Sequence, residues 1–353
     1  MVVPERFLEK KLYASRNLIP NPQQIGLPIV IISGDCVGPL LGLRFARAGI
    51  PVLVLEALIT FGIESKAMAH QPSIFPEFVC AGAMDELARE GFFSTGICFR
   101  ETRDGEVVAE RREGGGVERV RGRYVGADGS RSSVRRLCGI GFEGETLPVQ
   151  LVATDVEYPF ADHGFMDVNF MLDPPHYGLI AKITDEGSWR VSYGCPESLS
   201  FEEIERALPE KLEPLRYRVW RIAPYKARQG CAGAFRERRG WSGRDAGGEV
   251  VTNPYAGLGF STGILDVSSR ADALEAVLQR DAPETLLDSW AKARRDMFLK
   301  VVDPMSRAVF ATVQDPDPDS LAERDPMLNA VKKGILVHPP NLTTNVRELE
   351  GFA

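Results

Sequence analysis

The chain is poor in the residues that most often announce a function. Histidine occurs only 4 times in 353 residues, and the six cysteines (Cys36, Cys80, Cys98, Cys138, Cys195 and Cys231) form no Cys-x-x-Cys pair. That scatter offers no paired metal or redox site and is the usage of buried thiols in a reducing compartment. Positive charge is also in deficit: 42 Lys and Arg stand against 49 Asp and Glu, a net charge of -7. A nucleic-acid groove needs clustered Lys and Arg, so that class is excluded. The one basic run, Arg111 to Arg136, is broken by Glu113, Glu118 and Asp128. Long apolar runs are missing too. Leu27–Ile32 and Ile50–Leu55 are far shorter than the ~20 residues of a membrane-spanning helix, and Met1 to Asn21 is too charged and polar for a secretory signal. No internal repeat occurs. The expectation is a soluble cytoplasmic protein that binds a small molecule, with no nucleic-acid partner and no transmembrane segment.

What is present is an ordinary globular composition, 44% apolar and 26% charged, in a chain long enough for one or two domains with a large core. Ile29-Val-Ile-Ile32 is continuously apolar and β-branched, the pattern of a strand buried on both faces. Pro39–Ala48 reads as a helix stopped by Gly49. Pro51-Val-Leu-Val-Leu55 is a second strand ending at Glu56, which completes a βαβ unit. Helical sequence follows around Ala81–Glu90. Beyond Leu151, alternating stretches around Val152–Tyr158, Met166–Met171, Tyr177–Ile183 and Trp189–Tyr193 read as an antiparallel sheet with one wet face. An amphipathic helix is expected over Ser200–Leu212, opening on a Ser/Glu box. Long helices are expected over Thr262–Gln279 and Glu284–Val302, with a Pro/Asp-rich tail from Asp315.

The most telling stretch is Arg123-Tyr-Val-Gly-Ala-Asp-Gly-Ser-Arg-Ser-Ser-Val-Arg-Arg136. An extended segment runs into a glycine turn, and a Ser/Arg-rich run then opens a helix. Glycine lets the backbone approach a ligand closely, and a helix start directs free N–H groups at an anion. This run resembles the second nucleotide motif of the FAD-dependent monooxygenases of the aromatic-hydroxylase, p-hydroxybenzoate hydroxylase type. In that family the turn lies at the flavin pyrophosphate, which would place Asp128 and Gly129 there. The βαβ unit resembles the same family's first motif. Its Ser33-Gly-Asp-Cys-Val-Gly38 keeps the third glycine of G-x-G-x-x-G as Gly38, and Glu56 stands where a carboxylate holds the ribose hydroxyls. Asp35 occupies the second glycine position, and a carboxylate about 4 Å from a phosphate costs roughly 4 kcal/mol at an effective dielectric of about 20. Thr252-Asn-Pro-Tyr-Ala-Gly-Leu-Gly-Phe-Ser-Thr-Gly263 resembles the loop beneath the flavin ring, with Pro254, Gly257 and Gly259 matching. Asp245 is the nearest counterpart of the aspartate at the ribityl chain.

The resemblance implies an α/β fold: a Rossmann-like FAD-binding domain (27–145 and 240–310), an inserted antiparallel-sheet substrate domain (146–236), and C-terminal helices, with 1–26 and 311–353 as termini. It implies FAD as cofactor and NAD(P)H as co-substrate. The activity implied is hydroxylation or epoxidation of a small aromatic or polyketide-like metabolite with O₂, in a secondary-metabolic setting. No acid–base residue is singled out. Two internal gaps are expected. One lies between Glu56 and Asp128, where Asp104-Gly105 passes to Arg123 through Arg111-Arg-Glu-Gly-Gly-Gly and leaves no room for the family's further helix and strand pair. The other is the shortened turn near Asp245. These departures motivate an alternative, a flavin-free relative acting as an isomerase, cyclase or binding protein, or an inactive shortened product.

Weaker candidates stand beside these. Gly259-Phe-Ser-Thr-Gly263 fits the G-x-S-x-G elbow with His338 downstream, but no strand runs directly into Ser261. Lys66 stands in a region where the family often places a basic residue. His163 and His176 border the sheet, and Asp315-Pro-Asp-Pro-Asp319 is a polar turn without the spacing of a calcium loop.

Overall fold

A computed structural model describes residues 29–32, 36–56, 70–92, 94, 97–101, 107–111, 129, 132, 135–136, 139–172, 177–195, 202–203, 217–237, 244–245, 250–335 and 340–349. The βαβ unit forms as the sequence predicts. Strand β1 (Ile29–Ile32), helix α1 (Val37–Arg47) and strand β2 (Val52–Leu55) wind in order, with β1 and β2 parallel and Ile29 opposite Val52. Gly42 on α1 allows the helix to lie close to the sheet, since a Cβ there would come 3.1 Å from Val54 Cγ2. Ile29, Ile31, Leu41 and Phe45 pack with Val267 and Ala271 of helix α4 (Leu258–Gln279) beneath this unit.

The expected burial of β1 on both faces is not met. Val30 and Ile32, with Leu53 and Leu55 of β2, are exposed large apolar residues. Alternate side chains of a strand point to opposite faces, and among the described residues α1 and α4 cover only one face.

The span expected to be vacant after Glu56 is not empty. Helices α2 (Phe75–Ala81) and α3 (Met84–Glu90) occur in it, separated by Gly82 at φ +70°, followed by a strand pair, β3 (Ile97–Glu101) and β4 (Val107–Arg111). The charged residues of the pair gave no strand alternation in the sequence, and its pairing with β6 sets it in the large sheet. The stretch 112–128, including Asp128, lies outside the described residues.

Strands β5 (Phe142–Glu157), β6 (Val168–Leu172), β7 (Gly178–Lys182), β8 (Ser188–Cys195) and β9 (Arg218–Ala232) build the antiparallel sheet. The short strands β10 (Arg236–Glu237) and β11 (Arg244–Asp245) pair with each other, while β12 (Val250–Val251) joins β9. The large sheet has the order β12-β9-β5-β8-β7-β6-β3-β4, with only β3 and β6 parallel. It therefore reaches past 146–236 on both sides. One face buries Val152, Val156, Trp189, Val191 and Tyr193. The other buries Leu151, Phe170 and Leu172 against Tyr255 and the C-terminal helices.

After α4, helix α5 (Thr285–Met297) continues through a π-helical stretch, Phe298–Val302, into α6 (Asp303–Val313). The region from Asp315, expected as a tail, instead forms α7 (Pro318–Arg324), α8 (Pro326–Lys332) and the short α9 (Val346–Leu349). Asp317 and Asp325 cap α7 and α8, each with Pro at the first position, and Leu321 and Leu328 enter the core. Of the helix expected over Ser200–Leu212, only residues 202–203 are described.

Candidate functional site

The site is built where two helices begin. Helix α1 starts directly after the end of β1 and α4 starts after the loop Thr252–Gly257. Neither has a side-chain cap or an acidic residue in its first turn. The leading N–H groups of each helix have no partner within it, four at α4 and three at α1, where Pro39 carries none, and the helix dipole adds partial positive charge there. The start of α1 packs on the second turn of α4: a Cβ at Gly263 would lie 3.7 Å from Val37 Cγ2. Arg44 ties the bodies of the helices together, bonding Glu77 of α2 and Asp272 of α4. Burial pushes the carboxyl groups of both Glu77 and Asp272 up, and the Arg44 charge pulls them back.

Gly257 caps α4 in the left-handed region at φ +64°. This is a conformation that glycine adopts at no steric cost. Gly259 lies in the first turn, where an added Cβ would sit 3.3 Å from Thr252 Cγ2. Two side chains in that turn are buried with hydroxyls that have no hydrogen-bond partner, Ser261 and Thr262. Buried polar atoms are rarely left unpaired, so an acceptor or donor outside the described chain fits here. The observations together suit an anionic ligand at the helix starts.

Gln71 and His70 line the same place. A Cβ at Gly257 would be 3.6 Å from Gln71 Nε2, and the His70 ring stacks on Phe260 at 4.9 Å and leans on Phe78 at 5.7 Å. Burial pushes the His70 pKa down, which favours the neutral imidazole.

Of the sequence-derived residues, Gly38 is buried in the first turn of α1, while Gly257 caps α4 and Gly259 lies in its first turn. Glu56 follows β2 at the edge from which β1 leads to α1, in the place a ribose-binding carboxylate takes in this topology. Gly129 turns at φ +69° and its carbonyl accepts the Ser132 N–H at 2.9 Å. Ser132 Oγ in turn accepts the Arg135 N–H at 2.9 Å. Asp245 pairs in register with Arg236 in a two-residue ladder, and nothing described links it to the helix starts. Ser33, Asp35, Lys66, Asp128, His176 and His338 lie outside the described residues. Ser261 is 0% exposed within α4, so no nucleophile elbow forms. His163 stacks on Tyr158 at 5.5 Å, a packing role.

Sequence reasoning missed a buried polar cluster behind the loop, Gln229, Asn253, Ser306 and Thr252. The only local signal was Asn253 before Pro254, the start of an Asx-type turn.

No protein-family model matches the chain. A para-nitrophenol 4-monooxygenase of Pseudomonas sp. (strain WBC-3) is 31% identical over 365 aligned positions, covering 85% of this chain and 90% of that protein. That alignment is longer than the 353-residue chain, so the relative carries internal segments that this chain lacks. Among solved structures, the p-nitrophenol 4-monooxygenase PnpA from Pseudomonas putida DLL-E4 superposes with a TM-score of 0.78 at 27% identity, over 86% of this chain and 94% of that one. The flavin-dependent monooxygenase PieE, solved with FAD and substrate, shares the fold with a TM-score of 0.70 at 15% identity, over 88% and 71% of the two chains.

Proposed function

This chain belongs to the FAD-dependent aromatic monooxygenases, and from that premise we propose that it oxygenates a small phenol-type aromatic ring. FAD is the cofactor of the family, with NAD(P)H the usual reductant. The observation that carries the reading to this chain's own residues is the packing of the acid-free start of α1, at Val37, on the second turn of α4, at Gly263, close behind α4's own acid-free start.

In this reading the start of α1, with Gly38, holds the flavin pyrophosphate and Glu56 holds the ribose hydroxyls. By the resemblance, Asp128 and Gly129 would serve the pyrophosphate and Asp245 the ribityl chain. The loop Pro254–Gly259 would hold the flavin ring, and the first N–H groups of α4 would stabilise negative charge on it. When bound, FAD supplies reduction by NAD(P)H and activation of O₂. The protein's share is orientation, fixed donors and exclusion of water. Where the sheet meets α6, the rings of Tyr177, Tyr255 and Phe310 pack on one another in the core behind the loop. A relative that acts on para-nitrophenol supports a substrate of that size.

Adding FAD to the purified protein should give a yellow complex that oxidises NAD(P)H and transfers one oxygen atom to a substituted phenol, read by mass. Absence of flavin uptake would sink the reading in favour of a flavin-free relative. Asp35 gives a sharper form of the test. A carboxylate at the second glycine position opposes the pyrophosphate, so Asp35→Gly is expected to tighten FAD about tenfold or more. Equal, tight binding by both forms would remove the repulsion from the account while leaving the flavin site intact.

A further inference from the structure

We propose that Gln229 is a positioning residue for the flavin loop, setting its geometry from the substrate sheet. The inference rests on reading Pro254–Gly259 as that loop. Gln229 and Asn253 are each 1% exposed and Ser306 is 0% exposed. Gln229 sits on β9 opposite Glu145 of β5. Its backbone is pinned there: a Cβ on Gly144 would come 2.2 Å from the Gln229 carbonyl oxygen, so only glycine at 144 lets the strands approach.

Both ends of the Gln229 amide are used. Oε1 accepts the Asn253 backbone N–H at 2.9 Å and Asn253 Nδ2 at 3.2 Å. Nε2 donates to Asp303 Oδ1 at 2.9 Å, at the first residue of α6 after the π-helical stretch. Asn253 then passes the constraint into the loop. Its Oδ1 accepts the Tyr255 N–H at 3.2 Å, and its Nδ2 also donates to the Ser306 carbonyl at 3.0 Å. Thr252 and Ser306 hydroxyls bond each other alongside. Gln229 thus holds the peptide entering Asn253 and, through the Asn253 side chain, the peptide that follows Pro254, and joins both to α6.

The loop offers a ligand its backbone donors, and such donors are useful only when aimed correctly. A buried amide network is costly to leave half made, so it selects one loop geometry. Displacing it would tilt the N–H groups at Gly257–Gly259 without touching the ligand. Gln229 therefore acts through the loop.

The test compares wild type, Gln229→Met and Gln229→Glu by FAD fluorescence titration, the absorption band of bound flavin and thermal melting. Gln229→Met keeps length and removes every bond. It is expected to weaken FAD tenfold or more and shift the flavin band toward that of free FAD, with melting lowered by only a few degrees. In Gln229→Glu the protonated carboxyl can replace the amide toward Asp303. Charged groups facing it among the described residues are Asp303, Arg307 and Glu145. Two adjacent carboxyl groups share a proton more readily as pH falls. FAD affinity in this variant should therefore recover toward wild type from pH 8 to pH 6. Should Gln229→Met fail to fold, that pH series decides alone. Wild-type affinity and band in Gln229→Met, or a pH-independent, wild-type-like Gln229→Glu, overturns the inference while the flavin site stands. A wild-type protein that takes up no FAD overturns the site reading and this inference with it.

Discussion

Replacing Arg294 by methionine is expected to cost about 3–5 kcal/mol of folding stability, the usual range for breaking a buried ion pair on one side. Arg294 Nε donates to Asp266 Oδ1 at 2.6 Å, and the two side chains are 0% and 5% exposed. The same guanidinium donates to the Leu342 carbonyl at 2.5 Å and to Thr344 Oγ1 at 3.0 Å. It therefore joins α4, α5 and the segment before α9. Burial pushes the Asp266 carboxyl above its ordinary range, and Arg294 is the chief group pulling it back, with Arg270 adding less. Removing Arg294 would raise it further.

The sign follows from linkage. A carboxyl whose folded pKa is raised binds its proton more tightly in the folded state. Its contribution is fully present below the unfolded value and is lost as pH rises through the folded one. The loss in Arg294→Met should thus be smaller near pH 4 and grow toward neutrality. Urea unfolding at pH 5 and pH 8 measures it. Adding Asp266→Leu should return much of the lost stability, because an apolar pair replaces the orphaned charge. A single variant within about 1 kcal/mol of wild type at pH 8 would show that water reaches the pair.

Gly257→Val should cut NAD(P)H-driven product formation on the order of a hundredfold, the scale of losing a preorganised donor. At φ +64° a branched side chain strains the backbone by about 1–2 kcal/mol. Only Gln71 Nε2, at 3.6 Å, comes near the added Cβ, so the strain is conformational and not a clash. The loop relieves it by rotating the peptide that opens α4, which turns the Leu258 N–H away. Gly334→Val is the control. It sits at φ +71° past α8 with nothing within 4 Å of its Cβ. It should lose similar stability and keep its turnover. Equal loss of turnover in both variants would reject a specific role for the loop.

Local chemistry made part of this architecture legible. The apolar run Ile29–Ile32, the helix stopped at Gly49 and the strand ending at Glu56 needed only periodicity and a glycine stop, and they fold as one parallel unit. Strands β5 to β8 followed from alternation, although β5 extends well before Leu151. Strand β9 was illegible because Pro224, Arg218, Arg221, Lys226 and Arg228 argue against a strand. It pairs with β5 along its length but with β12 only near Gly230 and Cys231, so the proline's missing N–H sits at an open edge. The helices after Asp315 were in principle readable from Asp-Pro starts at Asp317 and Asp325, which a Pro/Asp-rich composition obscured.

The sequence by itself determined the βαβ unit, the existence of α4, though its start was expected at Thr262 and lies at Leu258, and the family to which these motifs point. Each depends on residues a few positions apart, where backbone sterics and side-chain period act. Tertiary structure alone decided that the start of α1 packs on the second turn of α4, that Val30, Ile32, Leu53 and Leu55 are exposed, and that Arg294 finds Asp266 and Gln229 finds Asn253. These outcomes depend on which distant groups burial leaves within hydrogen-bond reach, and no spacing along the chain encodes that choice.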